Sequence, residues 1–507
     1  LISSALDKKH SELLTYEHVI MEGKDLNMYS DDSLVLHTDA YQINMIYTYW
    51  KQGIDQKPVV FEAYFRKMPF NNGYVIFSGL ERIVKILNQL KFTDDDIDYL
   101  QSLDLYDTEF LTYLKNWHLT ATIRSAYEGE VMFNNEPLLQ VEGPLVDAQL
   151  LETLLLNIIN FQTLIATKAA RIASVTNGDP LLEFGTRRAQ ELDAALWGTR
   201  AAFIGGFDAT SNVRAGKLFN IPISGTHAHA LVQAYHNDYD AFHAYAATHK
   251  NVVFLVDTFD TLKSGVPNAI KVAREFGDKI NFQGVRIDSG DMAYLSKKVR
   301  VMLDEAGFTN AKIYASNDLD ENTILNLKIQ GAKIDVWGIG TKLITAYDQP
   351  ALGAVYKMVS IDGDDTIKLS NNVEKISTPG KKQVWRITDS KDGKSEGDYL
   401  TFDDENPSQL ETLHMFDPNH PVISKNIKNF DAQPMLHDIF VEGDLIYDLP
   451  DITTIKSYAK HSLNDLWDEY KRILNPETYP VDLSQKLYDA KMNLIHDIRN
   501  NIQEMTK

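Results

Sequence analysis

Between Leu181 and Val359 the chain repeats one unit: a short apolar β run, a polar Gly-rich end, then a helical stretch. The β runs are LLEFG, FIGGF, IPISG, VVFLVDT, FQGVRID, AKIYASN and KIDVWGIG. Between them lie stretches such as RRAQELDAALWGTRAA, DTLKSGVPNAIKVAREFG and DMAYLSKKVRVMLDEAG. Strands joined through helices run parallel, because the crossover returns the chain to the same edge. The alternation predicts an α/β fold built on an irregular barrel of about seven strands. In such barrels ligands gather at the C-terminal ends of the strands.

The strand ends carry the polar residues. LLEF ends in Gly185-Thr186-Arg187-Arg188, and IPIS in Gly225-Thr226-His227-Ala228-His229. VVFLV ends in Asp257-Thr258. FQGVRI, with Arg286 inside it, ends in Asp288-Ser289-Gly290-Asp291. KIYA ends in Ser316-Asn317-Asp318, and KIDVW in Gly338-Ile339-Gly340-Thr341. A lone GxGT is usually a turn, and a strand-end Asp often only caps the next helix. Successive ends of this kind at one topological position point instead to a shared ligand. They offer N–H donors for phosphate, Asp for ribose hydroxyls or Mg²⁺, and Arg for a carboxylate or pyrophosphate. A phosphorylated sugar fits that set. Phe184 is either a stacking ring for a flat heterocycle or a core aromatic.

PISGTHAHALV, from Pro222 to Val232, is the densest of these ends. It reads as a strand ending at Ser224 and Gly225, then a helix opening at Thr226 with His227 and His229 in its first turn. A helix N-terminus favours anions, and an imidazole there can bind a phosphate or attack phosphorus. The bland alternative is two ordinary histidines in a helix cap. HExxH is absent, as is a third His or Glu at ligand spacing, so no metal cage is indicated. Mg²⁺ held mainly by substrate phosphates is the expected metal. The Walker P-loop and the dinucleotide fingerprint are missing.

Outside this region the texture changes. Residues 1 to about 33 are polar and read as loosely attached; a helix follows Thr38 or Asp39, then strands VVFEAYF and GYVIFSG, with Arg66 and Lys67 at the end of the first. Residues 146–173 form a long apolar-rich helix, expected in the core. After Ser360 come solvent-facing strands and two amphipathic helices. Read linearly, the chain divides into an N-terminal α+β domain (1–145), the barrel with the site (146–359) and a C-terminal segment (360–507). The formal net charge of −21 argues against nucleic acid and against an anionic membrane surface. With no Cys there is no thiolate nucleophile and no disulfide, in keeping with a reducing cytoplasm.

The blocks HTDAYQ, FEAYFRKMP, EPLLQVEGPL, EFGTRRAQ, TSNVRAG, SGTHAH, GVRIDSGD, SNDLDE, WGIGTKL, GAVYKMV and STPGKKQVWR resemble nicotinate phosphoribosyltransferases, in that family's order and over almost the whole chain. The resemblance implies the type II phosphoribosyltransferase fold, an irregular α/β barrel plus a mixed domain formed by both chain ends. It implies transfer of phosphoribosyl from phosphoribosyl pyrophosphate (PRPP) to nicotinate in NAD salvage, coupled to ATP hydrolysis through a phosphohistidine, with Mg²⁺. The phosphate carrier corresponds to His229, with His227 the runner-up; Asp257 and Asp288 fall beside it. Phe184 and Tyr41 would sandwich the pyridine ring, Tyr41 coming from the partner in a homodimer. Arg187 and Arg286 would lie near the anions. Arg66 and Lys357 would meet pyrophosphate, partly across the dimer. Thr226, Ser289, Gly290, Asp318, Gly338, Gly340 and Thr341 would surround the PRPP phosphates. Ser211 stands where the nicotinamide-using sister family has Asp, which favours the acid substrate. The alternatives are a nicotinamide or quinolinate enzyme, or a catalytically dead relative that senses a ligand.

Overall fold

The structure is a computed structural model that describes residues 34–370 and 376–505. The expectation for residues 1–33 lies outside the described residues. In chain order the elements used below are α1 (Ala40–Gln52), β1 (Pro58–Phe65), β2 (Thr122–Ser125), β3 (Leu139–Pro144), α2 (Glu152–Thr176), β4 (Leu181–Glu183), α3 (Glu191–Ile204) and β5 (Ala209–Thr210). There follow α4 (His229–Ala234), β6 (Asn251–Leu255), β7 (Asn281–Ile287), β8 (Lys312–Asn317), α5 (Glu321–Ile329), β9 (Val336–Ile339) and β10 (Ala354–Ile361). The C-terminal part adds β11 (Lys382–Asp389), β12 (Ser395–Phe402), β13 (His437–Val441), α6 (Ile452–Asp465) and α7 (Gln485–Met505).

The alternating region forms one parallel sheet in the order β5–β4–β9–β8–β7–β6, a half-barrel with helices packed on it. FIGGF, expected as a strand, is instead the end of α3 and its turn. Gly205 is the reason: a Cβ there would stand 2.3 Å from the Ala166 carbonyl oxygen, so the glycine lets α3 close against α2. The strand partner is the short β5 just after it. IPISG makes only one bridge, Thr210 to Ile223. The helix expected from Thr226 begins at His229, with Ala228 at its N-cap position.

A second, antiparallel sheet runs β10–β1–β3–β2–β13, with two-residue strands at its edges. β10 straddles the 359/360 boundary and pairs with β1, while β13 pairs with β2. The long helix breaks at Leu151 and continues as α2 to Thr176. Apolar faces of α2 and the barrel helices enclose one core; the antiparallel sheet and the helices of residues 80–115 enclose another. Ion pairs made by buried cations join the layers. Lys168 of α2 meets Glu321 at 2.9 Å and Asp348 at 2.9 Å, and Arg171 meets Glu321 at 3.0 Å. Arg200 of α3 grips both oxygens of buried Glu128, at 2.6 and 2.8 Å, and also Glu81. Among the described residues no helix is long and apolar enough to cross a membrane.

Candidate active site

The C-terminal strand ends of the half-barrel place their polar residues together. At the end of β6, Asp257 accepts from the Asp288 N–H at 2.9 Å and from Ser289 Oγ at 2.6 Å, both at the end of β7. Its other oxygen, Oδ1, is buried without a partner. Asp288 accepts from Ser316 Oγ at the end of β8, and its Oδ2 lies 3.7 Å from His229 Nε2. His229 Nδ1 stands 3.0 Å from Thr258 Oγ1. The imidazole thus has one nitrogen held by a hydroxyl and the other facing a carboxylate. Its side chain is 38% exposed, enough for a ligand to reach it.

His227 has a different environment. It is buried, and its Nε2 accepts the Leu255 N–H at 3.1 Å. The Nδ1 proton then points toward the Ala228 carbonyl oxygen, 3.4 Å away. The ring stacks edge-on to Tyr245, centroids 5.0 Å apart. Burial, against the pull of the Ala228 carbonyl, lowers its pKa to about 4. Where the barrel sheet ends at β6, this side chain satisfies an N–H that a neighbouring strand would otherwise take.

Arg286 rises from β7 and donates to Thr226 Oγ1 at 2.7 Å; its Nε is buried and unpaired. Burial lowers its pKa despite nearby Asp288 and Asp257, and the Arg187 charge adds to the lowering. Thr226, expected as a helix cap, is therefore the hydroxyl that positions Arg286. Arg187 lies in the exposed 3₁₀ turn Thr186–Arg188. Ser289, Gly290 and Asp318 are exposed at the same ends, and Ser211 is exposed just past β5. The Ser211 N–H donates to the Glu183 carbonyl at 2.9 Å.

Phe184 follows β4 with its ring over β9. A Cβ on Gly338 would stand 2.6 Å from the ring, so the glycine is what admits it. Gly338, expected beside a phosphate, is buried in β9 and backs the aromatic. Gly340 and Thr341 open the short helix Thr341–Ile344 at the end of β9.

Three expected residues lie apart from this cluster. Tyr41 is 48% exposed on α1; Arg66 follows β1; Lys357 lies on β10, in register with Glu62. Burial lowers the Lys357 pKa against the influence of Glu152, and the nearby Arg66 charge adds to the lowering. Among the described residues no hydrogen bond or ion pair links these three to the strand-end cluster.

Thr258 and Ser316 stand in the strand-end pattern with no role of their own assigned from the sequence, and Glu183 is not singled out by it at all. Glu183 is buried, accepts from the Gly185 N–H and takes Thr199 at 2.9 Å and Thr210 at 2.6 Å. It locks the turns that carry Phe184 and Ser211. Its signal was a lone acid inside an apolar strand, which calls for buried partners. Among the described residues no group of three or more His, Cys, Asp or Glu forms a metal cage. The orphan oxygen of Asp257 and the outer oxygen of Asp288 fit a Mg²⁺ that takes most of its ligands from phosphates and water.

Three family models match the chain. Those described as the nicotinate phosphoribosyltransferase (NAPRTase) N-terminal domain, family and C-terminal domain match residues 36–160, 180–404 and 381–491. The nicotinate phosphoribosyltransferase of Bacillus subtilis (strain 168) is 60% identical over 480 residues, covering 94% of this chain and 98% of that one. That of Dictyostelium discoideum is 37% identical over 522 residues, covering 90% and 88%. The crystal structure of human nicotinic acid phosphoribosyltransferase superposes with a TM-score of 0.81 at 30% identity, covering 90% of this chain and 99% of that one.

Proposed function

The chain belongs to the nicotinate phosphoribosyltransferase family, and on that premise we propose that it couples ATP hydrolysis to nicotinate mononucleotide formation through a phosphohistidine at His229. The observation that carries this is the His229 ring itself, held by Thr258 on one nitrogen, facing Asp288 with the other, and open to solvent among the strand ends. His227 has both nitrogens engaged inside the protein and leaves no lone pair for phosphorus.

In the first step a ring nitrogen attacks the γ-phosphorus of ATP, the bond to the β-phosphate oxygen breaks, and ADP leaves. In the second, the pyridine nitrogen of nicotinate bonds to the anomeric carbon of PRPP as pyrophosphate departs. Water then hydrolyses the phosphohistidine to phosphate and free imidazole. The sugar step needs no enzyme nucleophile; positioning and charge stabilisation dominate it. Arg286 and Arg187 supply positive charge for the carboxylate and phosphates. Gly340 and Thr341, at a helix start, suit the 5′-phosphate. Thr226, Ser289, Gly290 and Asp318 rim the PRPP site. Mg²⁺, held by substrate phosphates with Asp257 and Asp288, would neutralise their charge.

Phe184 offers one face to the pyridine ring, and the partner subunit's Tyr41 the other, in a homodimer. Across the same interface the partner's Arg66 and the partner's Lys357 meet pyrophosphate. Their separation from the strand ends within one chain supports a site completed by a second copy. Ser211 donates its hydroxyl to the nicotinate carboxylate, where an Asp would repel it. The lack of cysteine agrees with a cytoplasmic setting.

Incubation with γ-labelled ATP tests the reading. The wild type is expected to gain acid-labile, base-stable label and His229→Ala none; label surviving that substitution would refute the assignment. Ser211→Asp is expected to lose nicotinate activity, and unchanged kinetics would count against its role.

A further inference from the structure

A cavity of about 920 Å³ lies outside the strand-end cluster, between the end of β1, residues 376–382, the turn Asp417–Lys425 and α7. Alternate residues of a strand share a face, and Glu62, Tyr64 and Arg66 line one wall of it. The volume falls within the roughly 300–1,000 Å³ of small-molecule sites.

Its cations are unequally served. Lys382 is buried and saturated: Glu62 lies 3.0 Å away, and its amine donates to the carbonyls of Thr378 and Gly380 at 2.8 and 2.6 Å. Lys491 donates only to Thr378 Oγ1, at 3.2 Å, and among the described residues no carboxylate lies within ion-pair distance of it. Burial, then the Lys382 charge, brings its pKa down to about 8. Arg66 Nε is buried without a partner. Of the lining carboxylates, Glu62 holds Lys382, Asp417 meets His420 at 3.0 Å and Glu477 meets Arg472 at 3.2 Å. Asp482, its pKa pushed up to about 6 by burial and then by the Asp417 charge, also lines the chamber. Lys491 and the Nε of Arg66 are thus cationic groups of this chamber that no carboxylate holds among the described residues.

We propose that the cavity is a second anion site that takes a phosphate or phosphate monoester, its oxygens on Lys491 and Thr378 and within the field of Arg66. Pro137, Met415 and Leu483 line room for the organic part of an ester. The proposal goes beyond the strand-end site and needs neither His229 nor nicotinate. Arg66 is shared with the pyrophosphate end proposed above, so the test rests on Lys491 alone.

Wild-type enzyme without nicotinate, PRPP or ATP is treated with formaldehyde and a borohydride at pH 7.5, and Lys491 methylation is followed by peptide mapping. At that pH its amine form exceeds that of an ordinary lysine about two-hundredfold. Inorganic phosphate or AMP is expected to slow Lys491 methylation at least fivefold, with chloride at equal ionic strength and nicotinate inert. The stronger protector identifies bare phosphate or ester as the ligand. No protection, equal protection by chloride, or no methylation at all would overturn the site, since a cavity open to a phosphate must admit formaldehyde. None of these outcomes touches the γ-label experiment.

Discussion

His227 and His229 are two positions apart and do opposite work. His227 is a neutral acceptor that closes an edge N–H; His229 is an exposed ring beside two carboxylate-bearing strand ends. His227→Leu would leave the Leu255 N–H buried and unpaired, at a cost of about 1–3 kcal/mol. It should keep the phosphate label that His229→Ala loses. The pH dependence follows from the lowered pKa. Below its ordinary value of 6.5 the unfolded chain takes up a proton that the folded His227 refuses until about pH 4. Stability therefore falls as pH drops through that window, by on the order of 3 kcal/mol. Chemical denaturation of wild type and His227→Leu at pH 7 and pH 4.5 checks this. The gap between them is expected to narrow in acid, and a constant gap would refute the neutral buried imidazole.

At the scale of elements, the site depends on strand register. Gly284 in β7 has φ +150°, and a Cβ there would stand 1.9 Å from the Lys312 carbonyl oxygen of β8. Gly284→Ala must part β7 from β8, and with them Asp288 from Ser316. The expected result is a loss of at least about 2 kcal/mol by thermal or urea unfolding, together with loss of activity. Arg200 ties α3 to the first domain through Glu128, whose pKa its charge lowers against the opposing effect of burial. Arg200→Met strands that carboxylate and should cost about 3–5 kcal/mol. Adding Glu128→Gln is expected to recover part of it in a double-mutant cycle. The alternation of β runs and helices was legible because parallel strands need crossovers; FIGGF was misread because Gly205's close approach to α2 depends on a helix far away in sequence.

At the scale of the whole molecule, the half-barrel presents one group of site residues and the antiparallel sheet another, with no link between them among the described residues. The proposed site, shared across a twofold interface, would bring the two groups together. Arg66→Ala and His229→Ala are each expected to be inactive alone. Refolded or co-expressed together they should regain about a quarter of wild-type activity, since half the dimers are mixed and each mixed dimer has one intact site. No recovery would place Arg66 and His229 of one chain in one site.

The sequence by itself determined the family, through many ordered blocks, and the strand-end positions of Asp257, Asp288 and His229, because parallel α/β order sends polar turns to one face. Only the tertiary structure separated the two histidines of SGTHAH. Which imidazole is buried depends on Leu255, Phe242 and Tyr245, brought alongside by β6 and the helix before it. It also turned Thr226 from an expected cap into the partner of Arg286, and Gly338 from an expected phosphate contact into the floor beneath Phe184. Those roles rest on packing between segments distant in sequence, which local pattern does not encode.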